Sequence, residues 1–115
     1  MNPMNPKNPT NPEPPDHVLE KEIVRTFLPV NPQKIILFGS YARGDADQYS
    51  DIDIIIVYST KKRFLDRLAE LYAKWEIKRP ADILAYTPEE FDSMLKDSSF
   101  LEEAVGTGRI IYENA

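Results

Sequence analysis

Two carboxylates lie two residues apart at the start of an apolar stretch. Asp51 and Asp53 open the segment Asp-Ile-Asp-Ile-Ile-Ile-Val-Tyr, which predicts a β-strand over residues 51–58. Because side chains alternate along a strand, both carboxylates point to the same face. Two like charges on a buried strand repel each other and lose hydration, and a bound divalent cation removes that conflict. Magnesium, commonly held by one or two carboxylates plus substrate phosphates, suits the pair.

Taken alone, the two carboxylates could equally point to water where the strand begins. A Gly-Ser pair ten residues earlier favours the chemical interpretation. Gly39 and Ser40 follow an apolar run that predicts a strand over 34–39, and they open a short turn or helix. Backbone N–H groups at such a point can face an anion, glycine lets a phosphate approach, and Ser40 adds a hydroxyl. No Gly-Lys-Ser/Thr follows, so this is not a Walker loop.

The combined pattern, Gly39 and Ser40, ten residues, then Asp51-Ile52-Asp53, resembles the minimal nucleotidyltransferase family of the DNA polymerase β-like superfamily. The similarity covers about residues 16–113. It implies a third carboxylate on the next predicted strand, where Asp82 is the match. The alternative for Asp82 is an exposed residue at the start of that strand.

The resemblance also implies a mechanism that uses two magnesium ions and ATP. Asp51, Asp53 and Asp82 would be the catalytic residues and the metal ligands. The acceptor hydroxyl would attack the α-phosphorus and pyrophosphate would leave, with Gly39 and Ser40 binding the terminal phosphates. Arg43 is a candidate to neutralise those phosphates, although an exposed arginine at the helix start is the competing interpretation.

The acceptor is inferred from the family and from chain length. We expect that 115 residues leave no room for an acceptor-binding domain, so a partner protein must supply the acceptor. Small members of the family resemble antitoxins paired with a HEPN-type toxin, a helical ribonuclease. The resemblance implies AMP transfer onto a tyrosine of that toxin, within a hetero-oligomer, by a type VII-like antitoxin. Two alternatives stay open: neutralisation of the toxin by binding alone, and transfer to a small molecule or an RNA end.

Composition limits the cellular setting. The net charge of -5 argues against charge-driven nucleic-acid binding and suits a basic partner. The absence of cysteine excludes disulfides and thiolate metal sites. Neither a signal peptide nor a membrane-spanning stretch is evident, so we expect a cytoplasmic protein without membrane contact.

The chain is predicted to divide into a tail and one domain. Residues 1–15 repeat Asn-Pro four times, which predicts a disordered or polyproline-like tail before a nucleotidyltransferase domain over 16–115. Thr87, Pro88 and Glu90 form a helix start of the capping-box type. An apolar stripe on the helix before it, interpreted as core rather than a partner groove, comprises Phe64, Leu68, Leu71, Tyr72 and Trp75.

Strands and helices are predicted to alternate along this domain. The strands cover residues 34–39, 51–58, 81–86 and 109–113, and the last helix runs from 99 to 105 and ends at Gly106. This order predicts an α/β (α+β) fold, with a small mixed sheet of about three to four strands and helices packed on it. The resemblance implies that this is the nucleotidyltransferase (polymerase β-like) fold.

Overall fold

A computed structural model describes residues 17–47 and 49–114, so the predicted tail over 1–15 lies outside the described residues. Helices and strands follow the predicted order, with a 3-10 turn at Leu28–Val30. The helices are α1 (His17–Phe27), α2 (Gly39–Arg43), α3 (Phe64–Ala73), α4 (Pro88–Asp97) and α5 (Ser99–Thr107). The strands are β1 (Lys34–Phe38), β2 (Ile52–Val57), β3 (Ala81–Tyr86) and β4 (Arg109–Glu113). None of the helices in this part of the chain has the length and apolar character of a membrane span.

The four strands form one mixed sheet in the order β3-β2-β1-β4, which confirms the predicted fold class. β1 runs antiparallel to β2 and β4, whereas β2 and β3 are parallel and are joined by the crossover helix α3. In this register Asp53 pairs with Phe38 on one side and with Asp82 on the other. The end of β1 and the beginnings of β2 and β3 therefore meet at one end of the sheet.

Helices cover both faces of the sheet, which explains the unbroken apolar run of β2. Ile52, Ile54 and Ile56 pack with α1 and α3 on one face. Ile55 and Val57 pack with α4 and α5 on the other, and all five side chains are buried. Because strand side chains alternate, Asp53 projects to the α4/α5 face, beyond the last apolar residue on that face.

Local boundaries of β1, β2 and α5 differ by one or two residues from the prediction, and Gly39 opens α2 instead of ending β1. β2 begins at Ile52, so Asp51 lies just before the strand. α5 continues through Gly106 and ends against Gly108, where a Cβ atom would lie 2.5 Å from the carbonyl oxygen of Ala104 and 2.8 Å from that of Leu37. This close approach, rather than the glycine at 106, ends the helix and turns the chain into β4.

The apolar stripe of α3 is only partly core. Leu71 is fully buried, but Phe64 and Tyr72 are each 40% exposed, so the core interpretation is wrong for these two aromatic residues. The helix ends at Ala73, and Trp75 beyond it stacks on Phe27 with ring centroids 6.0 Å apart. Tyr72 stays near the surface because its hydroxyl binds the outer edge of β3.

The predicted capping box of α4 is confirmed, and its Glu90 also forms a partly buried ion pair. The Thr87 side chain accepts from the Glu90 N–H, while Glu90 Oε1 accepts from the Thr87 N–H. Arg67 of α3, which is 7% exposed, donates to both Glu90 carboxylate oxygens at 2.7 and 3.1 Å. The Arg67 hydrogen bonds hold the pKa of Glu90 below its usual range.

Candidate active site

The three predicted catalytic carboxylates lie at the same end of the sheet. Asp53 is half-buried, whereas Asp82 beside it on β3 and Asp51 before β2 are exposed. Burial raises the pKa of Asp53 above its ordinary value of 3.8, and the charges of Asp82 and Asp51 raise it further. The charge of Arg43 opposes this rise. The structure thus brings Asp51, Asp53, Asp82 and Arg43 into one electrostatic neighbourhood.

Gly39 is packed directly against Asp53. A Cβ atom at Gly39 would lie 3.1 Å from Cγ of Asp53 and closer still to Oδ2. The backbone φ of Gly39 is +73°, in the left-handed region that side chains disfavour. Two independent constraints therefore require glycine here. The spacing pattern predicted a role for this glycine toward phosphate, but the space that the Asp53 carboxylate needs beside it was not predicted.

Ser40 and Arg43 lie on the short helix α2 beside this glycine. The Ser40 carbonyl accepts from the Gly44 and Asp45 N–H groups, while its hydroxyl makes no hydrogen bond to any described residue. Arg43 is exposed and its Nε lies 3.3 Å from Oδ2 of Asp45. Because exposed ion pairs contribute only about 0–1 kcal/mol, Arg43 can exchange Asp45 for another anion.

Tyr72 is a site residue that the sequence analysis missed. Its hydroxyl accepts from the Ile83 N–H at 2.8 Å and donates to the Ala81 carbonyl at 3.3 Å. These two backbone groups flank Asp82 on β3, an outer strand of the sheet. Tyr72 therefore fixes the backbone from which Asp82 projects. The available signal was a tyrosine within an apolar stripe, since a partly buried hydroxyl requires a partner.

The donor set at this end of the sheet fits magnesium when nucleotide is also bound. Among residues 17–47 and 49–114, no three acidic or histidine side chains converge closely enough to hold a metal ion by themselves. Magnesium is, however, usually held by one or two carboxylates plus substrate phosphates. The half-buried Asp53, faced by two further carboxylates, supplies hard oxygen ligands whose mutual repulsion a cation would relieve.

The chain is similar in sequence to known nucleotidyltransferases. The family model described as Nucleotidyltransferase domain matches residues 20–106. A relative from Methanocaldococcus jannaschii, which carries the name protein adenylyltransferase, is 40% identical over 81 residues, or 70% of this chain and 78% of the relative. MntA of Haemophilus influenzae, also named a protein adenylyltransferase, is 34% identical over 83 residues, covering 67% of this chain and 73% of its own.

A solved structure extends the likeness to three dimensions. The crystal structure of a toxin-antitoxin with AMP-PNP superposes with a TM-score of 0.61 at 26% identity. The superposition covers 83% of this chain and 73% of that chain.

Proposed function

The chain belongs to the nucleotidyltransferase domain family, and from this premise we propose that it transfers AMP from ATP to a tyrosine of a HEPN-type toxin. Its relatives carry the name protein adenylyltransferase, and a structural neighbour is a toxin-antitoxin with AMP-PNP. The observation that carries the proposal is the contact of Gly39 with Asp53, with Asp82 paired beside it. In this role the protein is a cytoplasmic antitoxin, since its target is a ribonuclease that acts on cellular RNA.

We assign the residues at the carboxylate end of the sheet two roles, namely holding metal ions and binding the phosphates of ATP. Asp51, Asp53 and Asp82 would hold two magnesium ions together with the nucleotide phosphates. When bound, such ions neutralise phosphate charge and lower the pKa of the attacking hydroxyl. The Gly39 backbone, the Ser40 hydroxyl and the Arg43 guanidinium bind the terminal phosphates.

The transfer needs no reactant other than ATP and the acceptor tyrosine. The tyrosine oxygen of the acceptor forms a bond to the α-phosphorus as the bond from that phosphorus to the bridging oxygen of the β-phosphate breaks. Pyrophosphate leaves with the bonding electron pair. Asp82, exposed beside Asp53, accepts the proton of the acceptor hydroxyl.

Charge favours a basic protein as the partner. The net charge of the chain is -5, and a ribonuclease toxin must present a positive surface to its RNA substrate. Opposite charges accelerate encounter and fix the orientation of docking.

Intact-mass measurement tests the proposal. The protein is mixed with the HEPN-type protein encoded beside it, ATP and magnesium, and both masses are recorded. We expect the partner to gain one or more AMP masses, mapped by fragmentation to tyrosine. A tight complex without mass gain would support neutralisation by binding alone. Labelling of an RNA end or of a small molecule, with the partner unchanged, would contradict the proposed acceptor.

A further inference from the structure

A cleft opens beside the carboxylate end, between α2 and α5, and its volume is about 230 Å³. Phe38, Gly39 and Arg43 line one side, and α5 contributes Phe100 and Glu103 to the other. Gly39 also contacts Asp53, so the cleft and the candidate catalytic carboxylates share a wall. A ligand part bound in this cleft would remain connected to phosphates held near Gly39.

The two sides of the cleft differ in chemistry. Gly39 and Arg43 offer a close backbone approach and a positive charge, which suit phosphate. The α5 side offers the ring of Phe100 and the carboxylate of Glu103, and this carboxylate repels phosphate. A cavity of this size is also below the roughly 300–1,000 Å³ typical of sites that enclose a whole drug-sized ligand. The α5 side therefore suits one neutral planar ring.

Phe100 is the residue on the α5 side of the cleft that indicates an aromatic ligand. Its side chain is 56% exposed, although large apolar residues are normally buried. It is nevertheless oriented, because its ring meets that of Phe38 edge to face with centroids 6.0 Å apart. An exposed aromatic ring held at the mouth of a cleft is a stacking platform for a base, because every base has a π face.

We propose that this cleft is the nucleobase subsite, in which Phe100 stacks on the purine ring of the nucleotide. The inference rests on the proposed function, since it assigns the base of the nucleotide whose phosphates lie at Gly39 and Arg43. Phe38 lines this cleft and is paired in register with Asp53 on the neighbouring strand, so the base subsite lies beside the carboxylates.

Titration calorimetry of the full chain with two ligands tests the assignment. The first ligand is α,β-methylene ATP, which cannot be cleaved at the bond proposed to break, and the second is inorganic tripolyphosphate, which lacks a base. We expect Phe100→Ala to weaken binding of the nucleotide about tenfold, the scale of removing one aromatic platform from a base. Binding of tripolyphosphate is expected to stay unchanged.

Two further variants serve as controls. Phe100→Tyr keeps the ring and should retain the affinity for the nucleotide. Phe64→Ala removes another exposed aromatic ring, 40% exposed and on α3, and should leave both affinities unchanged.

Two results would overturn the inference and leave the proposed function standing. The first is unchanged nucleotide affinity in Phe100→Ala, which would show that Phe100 does not contact the base. The second is equal weakening of both ligands, which would place the effect on the phosphates. Failure of the unmodified protein to bind either ligand would overturn the proposed function and this inference together.

Discussion

Carboxylates near the two ends of β3 have pKa values shifted in opposite directions. At its beginning, Asp82 lies beside Asp53, and the neighbouring carboxylates and burial raise the pKa of Asp53. Beyond its other end, Arg67 forms a two-point ion pair with Glu90, and the pKa of Glu90 is lowered. The second cluster is satisfied by the chain itself. The first places three carboxylates against the single positive charge of Arg43, an excess of negative charge that a bound cation would neutralise, and such an excess is expected of a catalytic site.

Asp53→Asn should have the largest effect and should separate function from stability. We expect transfer to fall on the order of a thousandfold, the scale of losing one preorganised electrostatic group. The melting temperature should stay the same or rise, because the substitution removes a repelled charge. Asp92→Asn is the matched control, since Asp92 is an exposed carboxylate on α4, away from the candidate site. Unimpaired transfer in Asp53→Asn would remove Asp53 from the catalytic machinery.

Gly39→Ala should damage both function and stability. The left-handed φ alone costs an alanine about 1–2 kcal/mol, and the new Cβ would also displace the Asp53 carboxylate. Gly44→Ala separates these causes, because Gly44 has a φ of +83° and nothing within 4 Å of its Cβ position. Chemical denaturation should show similar backbone costs, whereas transfer should collapse only in Gly39→Ala. Equal activity of the two variants would disprove the functional importance of the contact.

Arg67→Met should break the ion pair with Glu90 and lower stability without changing transfer. Removing one partner of a buried ion pair costs about 3–5 kcal/mol, and we expect roughly 2 kcal/mol here because Glu90 is partly hydrated. The Glu90 side chain is 44% exposed, against 9% for Arg67. Urea unfolding measures the loss, and Arg25→Met on the exposed surface of α1 serves as the control. Transfer per folded molecule should not change.

The free energy of unfolding, measured as a function of pH, should show effects of opposite sign for Glu90 and Asp53. Because the folded pKa of Glu90 is lowered, its contribution is present above its ordinary value of 4.5 and disappears as pH falls through the folded pKa. The stability difference between the unmodified protein and Glu90→Gln should therefore shrink on acidification. Asp53 has a raised pKa, so in magnesium-free buffer it destabilises the protein as pH rises from 3.8. Asp53→Asn should remove that loss, and slopes of the same sign in both variants would refute the contrast.

Tyr72→Phe should have the smallest effect. It removes two hydrogen bonds beside Asp82 and keeps the ring, so we expect kcat to fall severalfold, equivalent to about 1 kcal/mol, while KM for ATP stays unchanged. Tyr58→Phe removes a hydroxyl bonded to Glu70 at the far end of β2 and should leave kcat unchanged. A fall in kcat of the same size in both variants would reduce Tyr72 to a structural residue.

The sequence predicted what depends on local pattern. The run of isoleucines in β2, the capping box at Thr87 and the spacing from Gly39 to Asp53 were sufficient for the element order, the mixed sheet and the family. Periodicity reports which residues face a core or a turn, and these features are periodic or adjacent in the chain.

Contacts between distant residues were not predictable in this way. The Arg67–Glu90 ion pair spans 23 positions, and Tyr72 reaches across to the backbone around Asp82. Both depend on how α3 is seated on the sheet, which no local pattern specifies. The same limit explains why Gly39 was assigned to phosphate alone, since its contact with Asp53 requires the register of β1 and β2.

The position of the phosphate label distinguishes nucleotidyl transfer from other reactions of ATP. The protein, its HEPN-type partner and magnesium are incubated with ATP labelled either at the α-phosphate or at the γ-phosphate. Nucleotidyl transfer predicts that the partner acquires the α label and never the γ label, and that Asp53→Asn lowers the incorporation on the order of a thousandfold. Incorporation of the γ label would indicate phosphoryl transfer, and the absence of both labels would indicate no transfer; either result would contradict AMP transfer to the partner.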